Sequence, residues 1–143
     1  MDDQSIYWGE VKEGQKLPTL VKEVTATTII AGAIASRDFM PVHHDKDFAQ
    51  KQGVPDIFFN ILTTGGWVGK YLTDWSGPEA ELKRIDIRLG VPCFPGNALT
   101  WNGTVVKKYI ENGEHLVDVE YEGNVPMGYH AKGVVTMVLP NKR

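Results

Sequence analysis

The apolar positions change period partway along the chain. Between residues 26 and 75 they recur at helical spacing, and from residue 83 onward they alternate. "ATTIIAGAIAS" (26–36) predicts a short helix with Thr27 or Thr28 at its N-cap. "DKDFAQKQG" (45–53) predicts a second, capped by Asp45 and closed by Gly53. "DIFFNILTTGGWVGKYLTDW" (56–75) predicts a long third helix, with Ile57, Ile61, Gly65 and Gly69 on one stripe and Phe58, Leu62 and Leu72 beside it. A glycine inside a helix costs about 1 kcal/mol against alanine. Gly65 and Gly69 therefore imply a very close neighbour on that stripe. Residues 1–20 show little periodicity and predict a path over the surface.

After Gly77-Pro78 the chain reads as strands. "KRIDIRLGV" sets Ile85, Ile87 and Leu89 against Asp86 and Arg88. "ALTWNGTVVKKYI" alternates through Leu99, Trp101 and Gly103, and Asn112-Gly113 is a hairpin turn signal. "LVDVEYEG" and "YHAKGVVTMVL" complete four strands with short connections. Helices followed by antiparallel strands predict an α+β fold whose sheet needs one buried element against its inner face. The long glycine-bearing helix is the candidate. A curved antiparallel sheet wrapped around one central helix is the hot-dog architecture, expected here as a single domain over residues 1–143.

Composition narrows the function. The net charge of −3 argues against a general nucleic-acid binder, which would carry a basic excess. The most apolar stretch, Ile57–Leu72, is interrupted by Asn60, Thr63, Thr64 and Lys70 and makes a poor membrane span. The opening "MDDQSIYWGE" has neither the basic nor the apolar segment of a signal peptide. The single cysteine, Cys93, cannot form an internal disulfide, which fits a reducing compartment. A cytoplasmic protein without membrane or nucleic-acid partners is expected.

The candidate chemistry lies in "ASRDFMPVHHDKDF" (35–48). Pro41 pushes Met40 out of the helical region, so the first helix must stop and the chain must bend. Such a bend can bring Asp38 and His43 together. A carboxylate and an imidazole are the usual equipment for moving protons near neutral pH. Taken alone, an aspartate and a histidine in a loop serve more often as a cap and a surface residue. A metal site built on His43, His44 and Asp45 is disfavoured, since no other His or Cys is near in sequence and zinc sites need three or four ligands. His115 and His130, in the strand half, read as surface or strand-edge residues. Pro92-Cys93-Phe94-Pro95 reads as a rigid approach to a strand. Its thiol has no neighbouring cation or His to activate it. Trp67, Trp75 and Trp101 read as core or interface anchors.

The segment Asp38-Phe39-Met40-Pro41-Val42-His43-His44-Asp45 resembles the hydratase motif of the MaoC-like enoyl-CoA hydratases, a hot-dog family. The order of helices and strands matches over roughly residues 20–140. "RDFMPVHHD", "DIFFNILT", "YLTDWSGP" and "IRLGVP" are most similar to the small MaoC-like subunit of actinobacterial steroid side-chain hydratases. The resemblance implies that Asp38 and His43 activate a water that adds across the α,β double bond of an acyl-CoA thioester. Asp38 would be the base. His43 would orient the water and help return a proton to the α-carbon. The enolate oxygen would be met by the main-chain amide of Asn60, at the position where the family opens its central helix with Gly. No metal and no cofactor are implied beyond the CoA of the substrate. The family's Gly before the Asp and Asn two after it are replaced here by Arg37 and Met40.

The same resemblance implies a heteromer with a larger MaoC-like chain carrying a DUF35-type domain, in an α2β2 assembly, with a homodimer as the alternative. Two other functions stay open. A hot-dog thioesterase would use a carboxylate on the central helix, where only Asp56 and Asp74 are on offer. A non-catalytic MaoC-like partner subunit would be expected to lack Asp38 or His43.

Overall fold

The computed structural model describes residues 4–142. Six strands form one antiparallel sheet: β1 (Leu20–Glu23), β2 (Glu81–Ile85), β3 (Arg88–Leu89), β4 (Ala98–Glu111), β5 (Glu114–Val125) and β6 (Gly128–Val138). Their order is β1-β4-β5-β6-β2, with β3 beside β2 on β6. Three helices precede β2: α1 (Ala26–Ala35), α2 (Lys46–Lys51) and α3 (Ile61–Ser76).

The sheet curls around α3, as expected. Thr64, Val68, Tyr71, Leu72 and Ser76 form the buried face of the helix. Tyr71 stacks on Trp101 of β4, which meets Tyr121 of β5, and all three are buried. Val105, Val119, Val135 and Met137 complete the sheet's inner face. The two-residue turn Asn112-Gly113, both at positive φ, joins β4 to β5 as its sequence predicts.

Five expectations need correction. First, the long helix begins at Ile61, not near Asp56. Residues 56–60 run extended because the chain bonds sideways: Phe58 N–H donates to Val42 O and Phe59 N–H to Cys93 O. Asn60 then caps the helix, its Oδ1 accepting from Thr63 N–H at 3.0 Å. Second, the buried stripe is rotated from the one expected. Ile61 and Leu62 are exposed, and Gly65 and Gly69 face Ile87, Leu82 and Ile85 at the sheet edge.

Third, "KRIDIRLGV" splits into β2 and β3. Between them the Asp86 carbonyl rests on Gly133 of β6, where a Cβ would lie 2.0 Å away. It also accepts the Tyr121 hydroxyl at 2.6 Å. Fourth, the N-terminal segment does more than cover the surface. Val11 and Leu17 are core residues, Gly14 and Leu17 bond to β4, and Leu20–Glu23 forms β1. Fifth, the first short helix is capped two or three residues earlier than expected, by Thr25. The cap of α2 by Asp45 is as expected, and Gly53 follows that helix at positive φ.

Candidate active site

The end of α1 sets the position of Asp38. Asp38 N–H donates to Ala33 O and Arg37 N–H to Ile34 O, the paired bonds of a Schellman ending. Arg37 occupies the left-handed position of that motif, φ 58°, where glycine is the usual residue. The next step is an Asx turn: Met40 N–H donates to Asp38 Oδ1 at 3.2 Å. Pro41–His43 then forms a 3-10 turn that carries the imidazole back toward the carboxylate. His43 Nε2 lies 3.4 Å from Asp38 Oδ2. The proline-broken bend thus brings the two residues together.

The imidazole is held as firmly as the carboxylate. Its Nδ1 lies 2.7 Å from Phe58 O. A carbonyl can only accept, so Nδ1 carries the proton and a neutral ring presents a lone pair at Nε2. That lone pair faces a carboxylate oxygen. Two acceptors at this separation are complementary only when a proton lies between them, either on the ring or on a water donating to both. Phe58 packs edge-on to the ring, at 5.1 Å between centroids, and His43 is buried.

Asn60 is the third member of the cluster. Its Nδ2 donates to Asp38 Oδ2 at 3.1 Å and to Ser36 Oγ at 2.8 Å. From sequence the main-chain amide of Asn60 was the expected donor, with the side chain's part left open; its bonds to Ser36 and Asp38 were not foreseen. The amide N–H of Asn60 makes no hydrogen bond among the described residues, and the residue is buried. The Asn60 donor, then the Met40 N–H, hold the Asp38 carboxyl below its ordinary range, with the His43 charge adding less.

His130 was expected at the surface or a strand edge and is 4% exposed. The register of β5 with β6 slips where Gly123 faces Ala131 and Asn124 faces Tyr129, leaving His130 as an extra, bulged residue. The bulge reverses its side. Nδ1 bonds Val91 O at 2.8 Å and Nε2 meets Thr64 Oγ1 of α3 at 2.9 Å. Burial pushes its pKa down.

Other candidates lie apart from the dyad. His44 is exposed and reaches Phe39 O. Among the described residues no three His, Cys, Asp or Glu side chains group as metal ligands. Burial raises the Cys93 thiol to about 12, so it is not a nucleophile near neutral pH. Asp56 pairs with Lys46 and Asp74 with Lys70, so the carboxylates a thioesterase would need are engaged on the surface side. Trp101 lies in the core, while Trp67 and Trp75 are partly buried against it. A largely apolar groove of about 370 Å³ runs between α1 and α3, bounded by Gly32, Ser36, Leu62, Thr63, Gly66 and Trp67. Its Ser36 end touches Asn60. Among the described residues no helix is long and apolar enough to cross a membrane.

The sheet curled around one helix is shared with a known family. Residues 10–125 match the MaoC like domain, and the chain belongs to that family of hydratases and dehydratases. It is 42% identical over 124 residues to the 3-oxo-4,17-pregnadiene-20-carboxyl-CoA hydratase beta subunit of Mycobacterium tuberculosis, covering 87% of this chain and 93% of that one. It superposes on a chain of the ChsH1-ChsH2 complex from the same organism with a TM-score of 0.83 at 41% identity, covering 90% of this chain and 98% of that one. The unliganded R-hydratase PhaJ1 from Pseudomonas aeruginosa gives a TM-score of 0.86 at 19% identity, over 96% of this chain and 88% of that one, a likeness of hot-dog fold.

Proposed function

We propose that this chain is the hydratase subunit of an enzyme that adds water across the α,β double bond of a bulky enoyl-CoA, and that the acyl group is steroid-derived. The observation that carries the reading is the Asp38–His43 pair, Oδ2 to Nε2 at 3.4 Å, with the ring's far nitrogen fixed on Phe58 O. Asp38 takes a proton from water as its oxygen bonds to the β-carbon. The imidazolium of His43 gives a proton to the α-carbon. A proton then passes from Asp38 to His43 and restores the pair, so that one H and one OH have been added. Charge that builds on the thioester oxygen is met by the Asn60 main-chain N–H, a kind of donor worth about 3 kcal/mol in other enzymes. CoA enters as part of the substrate, and no further cofactor is required.

The identity to a pregnadiene-20-carboxyl-CoA hydratase subunit supports the choice of acyl group. The apolar groove that ends at Ser36 supports a substrate with apolar bulk. Ile34, Phe39, Met40, Ile61 and Leu62 are all exposed and lie within two residues of Ser36, Asp38 or Asn60. Such a surface around a site is suited to coverage by substrate and by another chain. We therefore infer a heteromer with a larger MaoC-like chain, as the neighbouring ChsH1-ChsH2 complex suggests. The free, buried Cys93 fits a reducing cytoplasm.

The reaction is tested with the chain co-expressed with a larger MaoC-like partner and a pregnadiene-20-carboxyl-CoA ester. Loss of the enoyl absorbance without release of free thiol is expected; thiol release in its place overturns the hydratase reading. Light scattering of the same preparation reads the assembly. A homodimer fully active on that ester would overturn the heteromer.

A further inference from the structure

We propose that the carboxamide side chain of Asn60 is a positioning group for the reaction, tying the Asp38 carboxylate to the end of α1 and the start of α3 so that Oδ2 keeps its aim at His43. This rests on the reading of Asp38 as the base.

The bonding of the amide leaves it one orientation. Oδ1 accepts the Thr63 N–H, while the two protons of Nδ2 go to Ser36 Oγ and Asp38 Oδ2. Turning the amide over would set Nδ2 against the Thr63 donor and Oδ1 against the carboxylate. Ser36 Oγ donates its own proton to Gly32 O at 2.7 Å, so toward Asn60 it can only accept. The network has a direction from α3 through Asn60 to α1 and the carboxylate. Asp38 Oδ1 is meanwhile held by Met40 N–H. Both carboxylate oxygens are thus fixed, and Oδ2 keeps one lone-pair direction for His43 and a water.

An N-cap alone would not need this arrangement. Serine or aspartate would cap α3 as well. Neither can send two N–H bonds outward while accepting from Thr63 N–H. A positioning role and a capping role are therefore separable by substitution.

The test uses Asn60→Asp and Asn60→Ser in the same assembly as the wild-type chain, assayed with the pregnadiene-20-carboxyl-CoA ester. Asn60→Asp is isosteric and keeps the cap, but it replaces the donor facing Asp38 with a second carboxylate. The acidic limb of kcat/KM should then move up by about one pH unit or more. For Asn60→Ser, kcat should fall on the order of 10²-fold with KM little changed, the loss that about 1 Å of misplacement brings. Ser36→Ala leaves the cap of α3 untouched and serves where an Asn60 variant fails to fold; a several-fold loss of kcat is expected. Asp38→Asn is run alongside. If it is inactive while the Asn60 and Ser36 variants keep wild-type kcat and acidic limb, the positioning role is overturned and the base stands. If Asp38→Asn is active, the base itself is wrong and the proposal falls with it.

Discussion

His43 and His130 are anchored alike and equipped for opposite tasks. Each is buried and bonds a main-chain carbonyl through Nδ1, Phe58 O at 2.7 Å and Val91 O at 2.8 Å. Each therefore presents Nε2 as its variable group. His43 points it at a carboxylate, where a proton stabilises the contact. His130 points it at the Thr64 hydroxyl, a donor that suits a neutral ring. On the proposed reading of His43, the second partner decides whether a fixed imidazole moves protons or holds structure. His130 joins β6, the segment at Val91 and the first turn of α3, so it braces the helix start on which Asn60 sits.

The largest expected effect separates the two rings by activity. His43→Ala should lower hydration by roughly 10²–10⁴, the usual worth of a positioned proton-transfer group. Combined with Asp38→Asn it should be little worse than either single change, because the pair acts as a unit. His130→Phe should do the reverse. It strands the Val91 carbonyl, at about 1–3 kcal/mol for a group so left, while the buried Thr64 hydroxyl keeps only its longer bond to Asn60 O at 3.3 Å. Thermal denaturation and the hydration assay on the same samples check both. A His130 variant with native stability would break the comparison.

A second way to sharpen it is through helix placement. A Cβ on Gly32 would lie 2.3 Å from Thr63 Oγ1, so α1 and α3 cross in contact at that point. Asp38 and Ser36 ride on the end of α1, and Asn60 rides on α3. Gly32→Ala should destabilise by about 1–3 kcal/mol through overpacking. It should also lower kcat more than His130→Phe does, because it separates the carboxylate from its amide donor. Parallel denaturation curves and kcat measurements test this.

The pH dependence of stability gives a smaller signal. Burial lowers the folded pKa of His130, so the unfolded chain binds its proton more readily. Its contribution is constant above the unfolded value near 6.5, declines as pH falls below it, and levels off beneath the folded value. Urea denaturation between pH 7.5 and 5, compared with His130→Gln, should show that decline in the wild-type chain and less of it in the variant. The smallest effect is expected at Arg37. Arg37→Gly relieves a left-handed non-glycine residue and should stabilise by less than about 1 kcal/mol, since the unfolded chain gains freedom at the same time. A melting temperature lowered by this change would contradict the assigned strain.

What could be read from the chain follows from the range of the interactions. The Asp38–His43 pairing was legible because Pro41 forces a local bend between them. The Asn112-Gly113 turn and the cap at Asp45 were legible for the same reason: each is local chemistry. Asn60 at the helix start carried a signal that was available, since Asn is a favoured N-cap, but the apolar run Ile57–Phe59 before it extended the helical pattern too far. The side-chain partners of Asn60 are 22 and 24 residues away and are set by the crossing of two helices, which no local pattern encodes. His130 was misplaced by parity. Strict alternation sends it outward, and one bulged residue returns it to the core. The fold class needed only the change of period along the chain, whereas the site needed the packing.

The central claim is that Asp38 is the base. The most direct measurement is the single-turnover hydration rate of Asp38→Asn, isosteric with the native side chain, in the assembled enzyme with a pregnadiene-20-carboxyl-CoA ester. Circular dichroism and light scattering establish that the fold and assembly are unchanged. The rate should fall by roughly 10²–10⁴ with substrate binding retained. A folded, assembled Asp38→Asn enzyme that hydrates its substrate at near the wild-type rate would contradict the account.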